Sequence, residues 1–243
     1  MKRNALFVVL FCLFIMPAVA QEDLHRQLSA AGTAKDFPGS HYLAVFDRTV
    51  VRVEDSGLSH VDREVLYKVL DEAGARELKA LPFGYDPLSA WVEVKEMKVL
   101  RAGGATEVVP PQALRDYPAP ARAIYWGARE ILAPAGRLDP GDGVYVRTYQ
   151  KGFTYALLAA EAAADAPGDE RYVPPMKGHF YDIVPFYSQY PVRLKSYRAL
   201  VPAAKKVQFE FYNGQARHYV RLDGTARAPD DRPHHPRDRP PPL

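Results

Sequence analysis

Cysteine is nearly absent from this chain: of 243 residues only Cys12 is one. It lies in an amino-terminal stretch with the three parts of a secretory signal, namely Lys2 and Arg3, the apolar run Ala5 to Met16, and the small-residue site Ala18-Val19-Ala20. Cleavage after Ala20 makes Gln21 the new terminus and removes the thiol. Phe11, bulky and directly before Cys12, argues against a lipoprotein signal there. The mature chain is therefore expected to lack disulfides, thiolate metal sites and a cysteine nucleophile. A long apolar run is missing as well. The 12 residues from 5 to 16 fall short of the ~20 that span a bilayer, so no transmembrane anchor is expected after cleavage. The expected destination is the periplasm or cell envelope.

Charge of one sign is also lacking. The whole chain holds 32 basic and 29 acidic residues, and loss of Lys2 and Arg3 leaves 30 against 29, a formal charge of +1. No nucleic-acid partner is expected from that balance. Nor does the chain contain a GxSxG elbow, an HExxH helix motif or a Gly-rich phosphate loop. The seven histidines, at 25, 41, 60, 179, 218, 234 and 235, show no metal-ligand spacing, although His234-His235 can bind a metal ion adventitiously. No catalytic, cofactor-binding or metal-ligating residue is assigned, no cofactor is expected, and the chain reads as a non-enzyme.

What is present is β-pattern. Residues 21–35 carry Leu24, Leu28 and Ala31 at helical spacing, which predicts a short amino-terminal helix closed by Phe37-Pro38-Gly39. Tyr42 to Glu54, the turn Asp55-Ser56-Gly57 and Ser59 to Leu70 predict a long hairpin, with Val61, Val65, Tyr67 and Val69 on one face. Trp91 to Leu100 predicts another strand, turning at Gly103-Gly104 into Thr106 to Val109. Pro118 and Pro120 argue against a regular element there, and Ala121 to Leu132 reads equally as strand or short helix. The turn Leu138-Asp139-Pro140-Gly141-Asp142 feeds a strand from Val144 to Gln150, and an alanine-rich stretch follows at Tyr155 to Asp165. Phe180 to Phe186 and Val192 to Val201 read as further strands. Val207 to Tyr212, Asn213-Gly214 and Ala216 to Leu222 give a strong hairpin signal. The sum is an all-β protein, an antiparallel β-sandwich with little helix, over residues 36–224. Residues 225–243 hold six prolines among arginine, aspartate and histidine, a composition that cannot build a core and predicts a disordered tail.

Two side-chain patterns invite function. Glu93 or Glu96 with Asp182 could supply a glycosidase carboxylate pair, although a solvated sheet face offers such residues in any case. The aromatic residues Trp91, Tyr125, Trp126, Phe180, Tyr181, Phe186, Tyr187 and Tyr190 could form a sugar-stacking platform or serve as core. Trp91 and Trp126 are the candidate surface-binding pair.

Three segments in fixed order carry a resemblance: Tyr67 to Gly74 (YKVLDEAG), Leu138 to Asp142 (LDPGD) and Tyr172 to Asp182 (YVPPMKGHFYD). They resemble the domain of unknown function 3857, which precedes a transglutaminase-like domain in exported bacterial proteins, over most of Asp36 to Gly214. The resemblance implies an all-β sandwich with no assigned catalytic residues, normally fused to a papain-like Cys-His-Asp domain. Its implied partner is that transglutaminase-like domain or an envelope polymer. The family pattern also calls for further strand material beyond Leu222, so the frame is expected to be truncated or shifted near Gly224, leaving an edge open to pairing between copies. The leading expectation is an exported, non-catalytic binding or scaffolding domain. A free-standing envelope glycan- or peptide-binding module is the alternative, and a carboxylate-dependent hydrolase the third.

Overall fold

A computed structural model describes residues 23–120, 127–153, 179–212, 221–222 and 225–226. The stretch read as a secretory signal, Trp126, the stretch Tyr155 to Asp165, the Asn213-Gly214 pair and residues 227–243 lie outside the described residues. Residues 23–29 form helix α1. Strands β1 (Tyr42–Val53) and β2 (Ser59–Val69) make the long hairpin, followed by helix α2 (Glu72–Leu78) and β3 (Ala80–Tyr85). Then come β4 (Ala90–Leu100), β5 (Thr106–Val108), β6 (Arg115–Pro118), β7 (Arg129–Pro134), β8 (Gly143–Gly152) and β9 (Lys195–Leu200).

Six strands form one sheet in the order β5-β4-β8-β2-β1-β9, and β3-β7-β6 form a second. Every pairing within these two sheets is antiparallel except β1 with β9, which runs parallel. The second sheet and α2 cover one face of the long sheet. There Val65, Val69, Met97, Val99, Val144 and Val146 meet Ala75 and Leu78 of α2 and Ala133 of β7, with Tyr67, Leu81 and Phe83 packed against them. This is the expected antiparallel sandwich with little helix. The period-two face of β2 is its inner wall because successive side chains alternate across a strand.

Part of the opposite, outer face is covered by α1, whose Leu28, followed by Ala31, packs on Leu43, Phe46, Leu66, Leu100 and Tyr145. The amphipathic spacing explains which side of α1 is buried. Its carboxyl end is anchored by cations: Lys68 Nζ donates to the Leu28 carbonyl at 2.9 Å, and Arg193 Nη1 to that of Ala30 at 2.5 Å. Such donors satisfy carbonyls that a helix end leaves unpaired. No helix among the described residues is long and apolar enough to cross a membrane.

Several local expectations are corrected. Glu72–Leu78 and Ala80–Tyr85 are elements that hydrophobic periodicity did not reveal. Asp71 starts the helix by accepting from the backbone N–H of Ala73 and Gly74, both at 2.9 Å. Pro118 closes a strand rather than preventing one, since β6 is an edge strand and an edge tolerates a missing donor. Phe180 to Phe186 has no ladder and runs as irregular backbone. The strand expected over Val192 to Val201 is shorter, and only a bridge from Val192 to Ala44 precedes it.

The chain divides into two compact units, Met1–Leu200 and Val201–Leu243. In the second, residues 207–212 form no strand, so the first arm of the expected hairpin is absent as a ladder. Phe209 and Phe211 meet edge to face at 5.8 Å. β10 (Arg221–Leu222), at the end of the expected second arm, pairs antiparallel with β11 (Thr225–Ala226), which falls in the stretch that composition assigned to the tail.

Candidate functional site

Beyond the reach of α1 the outer face of the long sheet is open, and strand register dictates what stands on it. Across β4, β8, β2 and β1, Trp91 lies opposite Lys151, His60 and Arg52 in turn. The next rows are Glu93, Tyr149, Asp62 and Val50, then Glu96, Arg147, Glu64 and Arg48. A bulge between Val94 and Glu96 keeps both Glu93 and Glu96 on this face.

Three rings cross the strands here. Trp91 and Tyr149 meet edge to face with centroids 5.9 Å apart, and Tyr149 and His60 follow at 6.1 Å. His60 is held from both sides, by Tyr149 Oη 2.6 Å from Nδ1 and by Glu54 Oε1 2.7 Å from Nε2. With the imidazole neutral, Nε2–H donates to Glu54 and Nδ1 accepts the tyrosine hydroxyl, which fixes both rings. Lys95 Nζ sits 5.2 Å from the Tyr149 ring centroid, a cation–π distance. Trp91 remains 41% exposed.

The charges around the rings largely answer one another. Arg52 pairs with Asp62 at 2.9 Å, Arg147 reaches Asp62 and Glu64 at 3.8 and 3.9 Å, Lys95 binds Glu93 at 2.7 Å, and Lys98 binds Glu96 at 2.6 Å. Exposed pairs of this kind add little stability each, but together they leave the face nearly balanced in charge.

The structure brings some sequence candidates together and separates others. Trp91 is on the open face, joined by His60 and Tyr149, which the sequence reading had not selected. Their grouping follows from register alone. Trp126 and Tyr125 lie outside the described residues. Glu93 and Glu96 are engaged by lysines on the outer face, whereas Asp182 accepts from Tyr197 Oη at 2.6 Å. Tyr197 lies opposite Thr49, and Thr49 opposite Arg63, on the inner face. No glycosidase pair is assembled from these three. Tyr190 stacks on Tyr42 at 4.8 Å and meets Tyr67 at 6.0 Å on the inner side, so the aromatic set does not form one platform. Among the described residues no three His, Cys, Asp or Glu side chains converge on a point that could hold a metal ion.

The described motif residues behind the resemblance have architectural roles. Asp71 caps α2 and binds His41 Nδ1 at 2.8 Å. Asp142, buried, accepts from Arg101 Nη1 at 2.8 Å, the Ala102 amide at 2.9 Å and the Asp139 amide at 3.0 Å, tying the turn before β8 to the β4–β5 hairpin. Paired to it and to Glu107, Arg101 is raised further above its ordinary range, with the Glu107 bond the larger cause, and Glu107 is lowered in return.

Fold and face together define an antiparallel β-sandwich with an open, ring-bearing sheet face. The chain belongs to the family described as Domain of Unknown Function with solved-structure structure (DUF3857), whose model matches residues 55–228. No curated protein matches the sequence. Among solved structures it is similar to a candidate protease from Parabacteroides distasonis, with 11% identity, 48% of this chain and 24% of that one covered, and a TM-score of 0.43. It is also similar to a CBM3a-L domain from the scaffoldin of the Clostridium thermocellum cellulosome, with 8% identity, 61% and 97% covered, and a TM-score of 0.29. An M1 zinc metallopeptidase from Deinococcus radiodurans gives 13% identity, 78% and 39% covered, and a TM-score of 0.30. The chain thus spans about a quarter of the Parabacteroides protein. At such scores no activity passes from these proteins to this one.

Proposed function

We propose that this protein is an exported, non-catalytic binding module of the cell envelope, and that its ligand is an uncharged glycan seated on the open face of the long sheet. The observation that carries the reading is the ring group Trp91, Tyr149 and His60 on a face whose charges are largely paired. Aromatic rings offer apolar faces to the C–H side of a sugar, and the flanking polar groups offer donors and acceptors to its hydroxyls. A face with its charges already paired gives a polyanion little to gain.

The test is binding of the mature chain to insoluble envelope glycan and to soluble glycan fragments. Trp91→Ala and Tyr149→Ala are expected to weaken retention at least tenfold with the melting temperature nearly unchanged, and no new reducing ends are expected. Wild-type retention by both variants refutes the reading.

A scaffolding role toward a transglutaminase-like domain is the second reading. It is favoured by a different feature, the exposed apolar side chains of Ile183, Phe186, Tyr187 and Leu194 along the irregular segment before β9.

A further inference from the structure

A second concave site lies between the two sheets, away from the open face. Its volume is about 160 Å³, and its walls come from β2, β8 and β3. Val65, Leu81, Phe83 and Val146 supply apolar wall, while Arg63, Tyr67 and Thr148 are its polar residues. For scale, an engineered cavity of about 150 Å³ admits benzene. The space therefore suits one ring, or a branched chain of similar bulk.

Arg63, the charged residue of this lining, also belongs to an ion cluster. Arg63 holds the buried Asp47 through two bonds, Nε to Oδ1 at 2.9 Å and Nη2 to Oδ2 at 3.0 Å. Lys195 adds a second cation 3.6 Å from Oδ2. Two cations, Arg63 and Lys195, thus meet the one carboxylate of Asp47. Arg63 is only half-buried, with 41% of its side chain exposed. Its bidentate grip on Asp47 uses Nε and Nη2, and Nη1 carries two further N–H donors. The Tyr67 hydroxyl beside it is pushed upward, by burial first, and stays neutral at physiological pH.

We propose that this cleft binds a small apolar carboxylate. Its ring or branched chain lies against Val65, Leu81, Phe83 and Val146, and its carboxylate is taken by Nη1 of Arg63, the nitrogen not bonded to Asp47. This site is independent of the glycan reading, since it lies on the other face of the long sheet and shares none of its residues.

The probe is benzoate, titrated into the mature chain by protein-observed NMR, with benzyl alcohol as the uncharged shape control. A tripeptide ending in phenylalanine forms a second arm, which separates a free acid from a peptide terminus as the natural source. Benzoate is expected to bind at low millimolar concentration, at least tenfold tighter than benzyl alcohol, and to shift the methyl signals of Val65, Leu81 and Val146. Thr148→Phe fills the cleft from β8, directly opposite Arg63, and is expected to abolish the shifts while the melt is kept. Arg63→Met is expected to remove the preference for benzoate over the alcohol. Equal affinity for the two probes, or unchanged benzoate binding in Thr148→Phe, overturns the proposal, and Thr148→Phe decides the matter if Arg63→Met does not fold.

Discussion

The ion pair between His41 and Asp71 shows how single residues of the family motifs serve the fold. The hydrogen bond and charge of Asp71 raise His41 above its ordinary 6.5. The His41 bond, followed by the Gly74 amide, lowers Asp71 below 3.8. A histidine raised by folding contributes stability below its unfolded value and loses it as pH climbs through the folded value. A lowered carboxylate contributes above its unfolded value and loses that as pH falls through the folded one. The pair is therefore most effective between 3.8 and 6.5. The melting-temperature gap between wild type and His41→Ala is expected to be widest near about pH 5 and to narrow on either side. A gap that does not vary with pH removes the pair from the account. Both groups are exposed, so the effect is small.

At the scale of elements, α2 illustrates how closely a short helix can be pressed against the chain that precedes a strand. The Leu70 amide donates to the His41 carbonyl at 2.9 Å, and a Cβ placed on Gly74 would overlap that same oxygen. Glycine is required there by proximity to backbone. Gly74→Ala is expected to destabilise the protein by about 1 to 3 kcal/mol, the range for overpacking. Helix propensity alone would make this substitution stabilising by about 1 kcal/mol. Urea denaturation gives the sign directly, and a stabilised variant would show that α2 can retreat from His41. The bulges in β1 and β4 act at the same scale, the first at Ala44 to Phe46 and the second at Val94 to Glu96. Each shifts the alternation of its strand and so decides which residues join the outer face.

For the whole molecule, the order of strands orders local stability. β2 and β8 are flanked on both sides over nearly their whole length, whereas β5 and β9 stand at the rims of the sheet. Hydrogen exchange read by mass spectrometry is expected to be slowest in β2 and β8. Among the described residues of the first unit, it is expected to be fastest in 179–190, which lie outside any ladder. Protection of 179–190 equal to that of β8 would contradict this order. Among the described residues the surfaces offered to a partner are the open face with Trp91, the inner cleft with Arg63 and the apolar segment with Ile183 and Tyr187.

The sequence by itself determined the all-β class and the strands β1, β2, β4, β5 and β8, because alternation and turn residues are local signals read within a few positions. It did not disclose α2 or β3, whose short apolar patterns carry little periodicity, nor the parallel pairing of β9, which depends on where a distant strand lies. Only tertiary structure decided which side chains meet. Trp91, Tyr149 and His60 come from three strands, and Asp47, Arg63 and Lys195 from three as well. Slipping any strand by one residue would turn its member of each group to the other face. Register is settled by the burial of whole strand faces and by bulges, which is why aromatic residues were legible in the sequence and their partners were not.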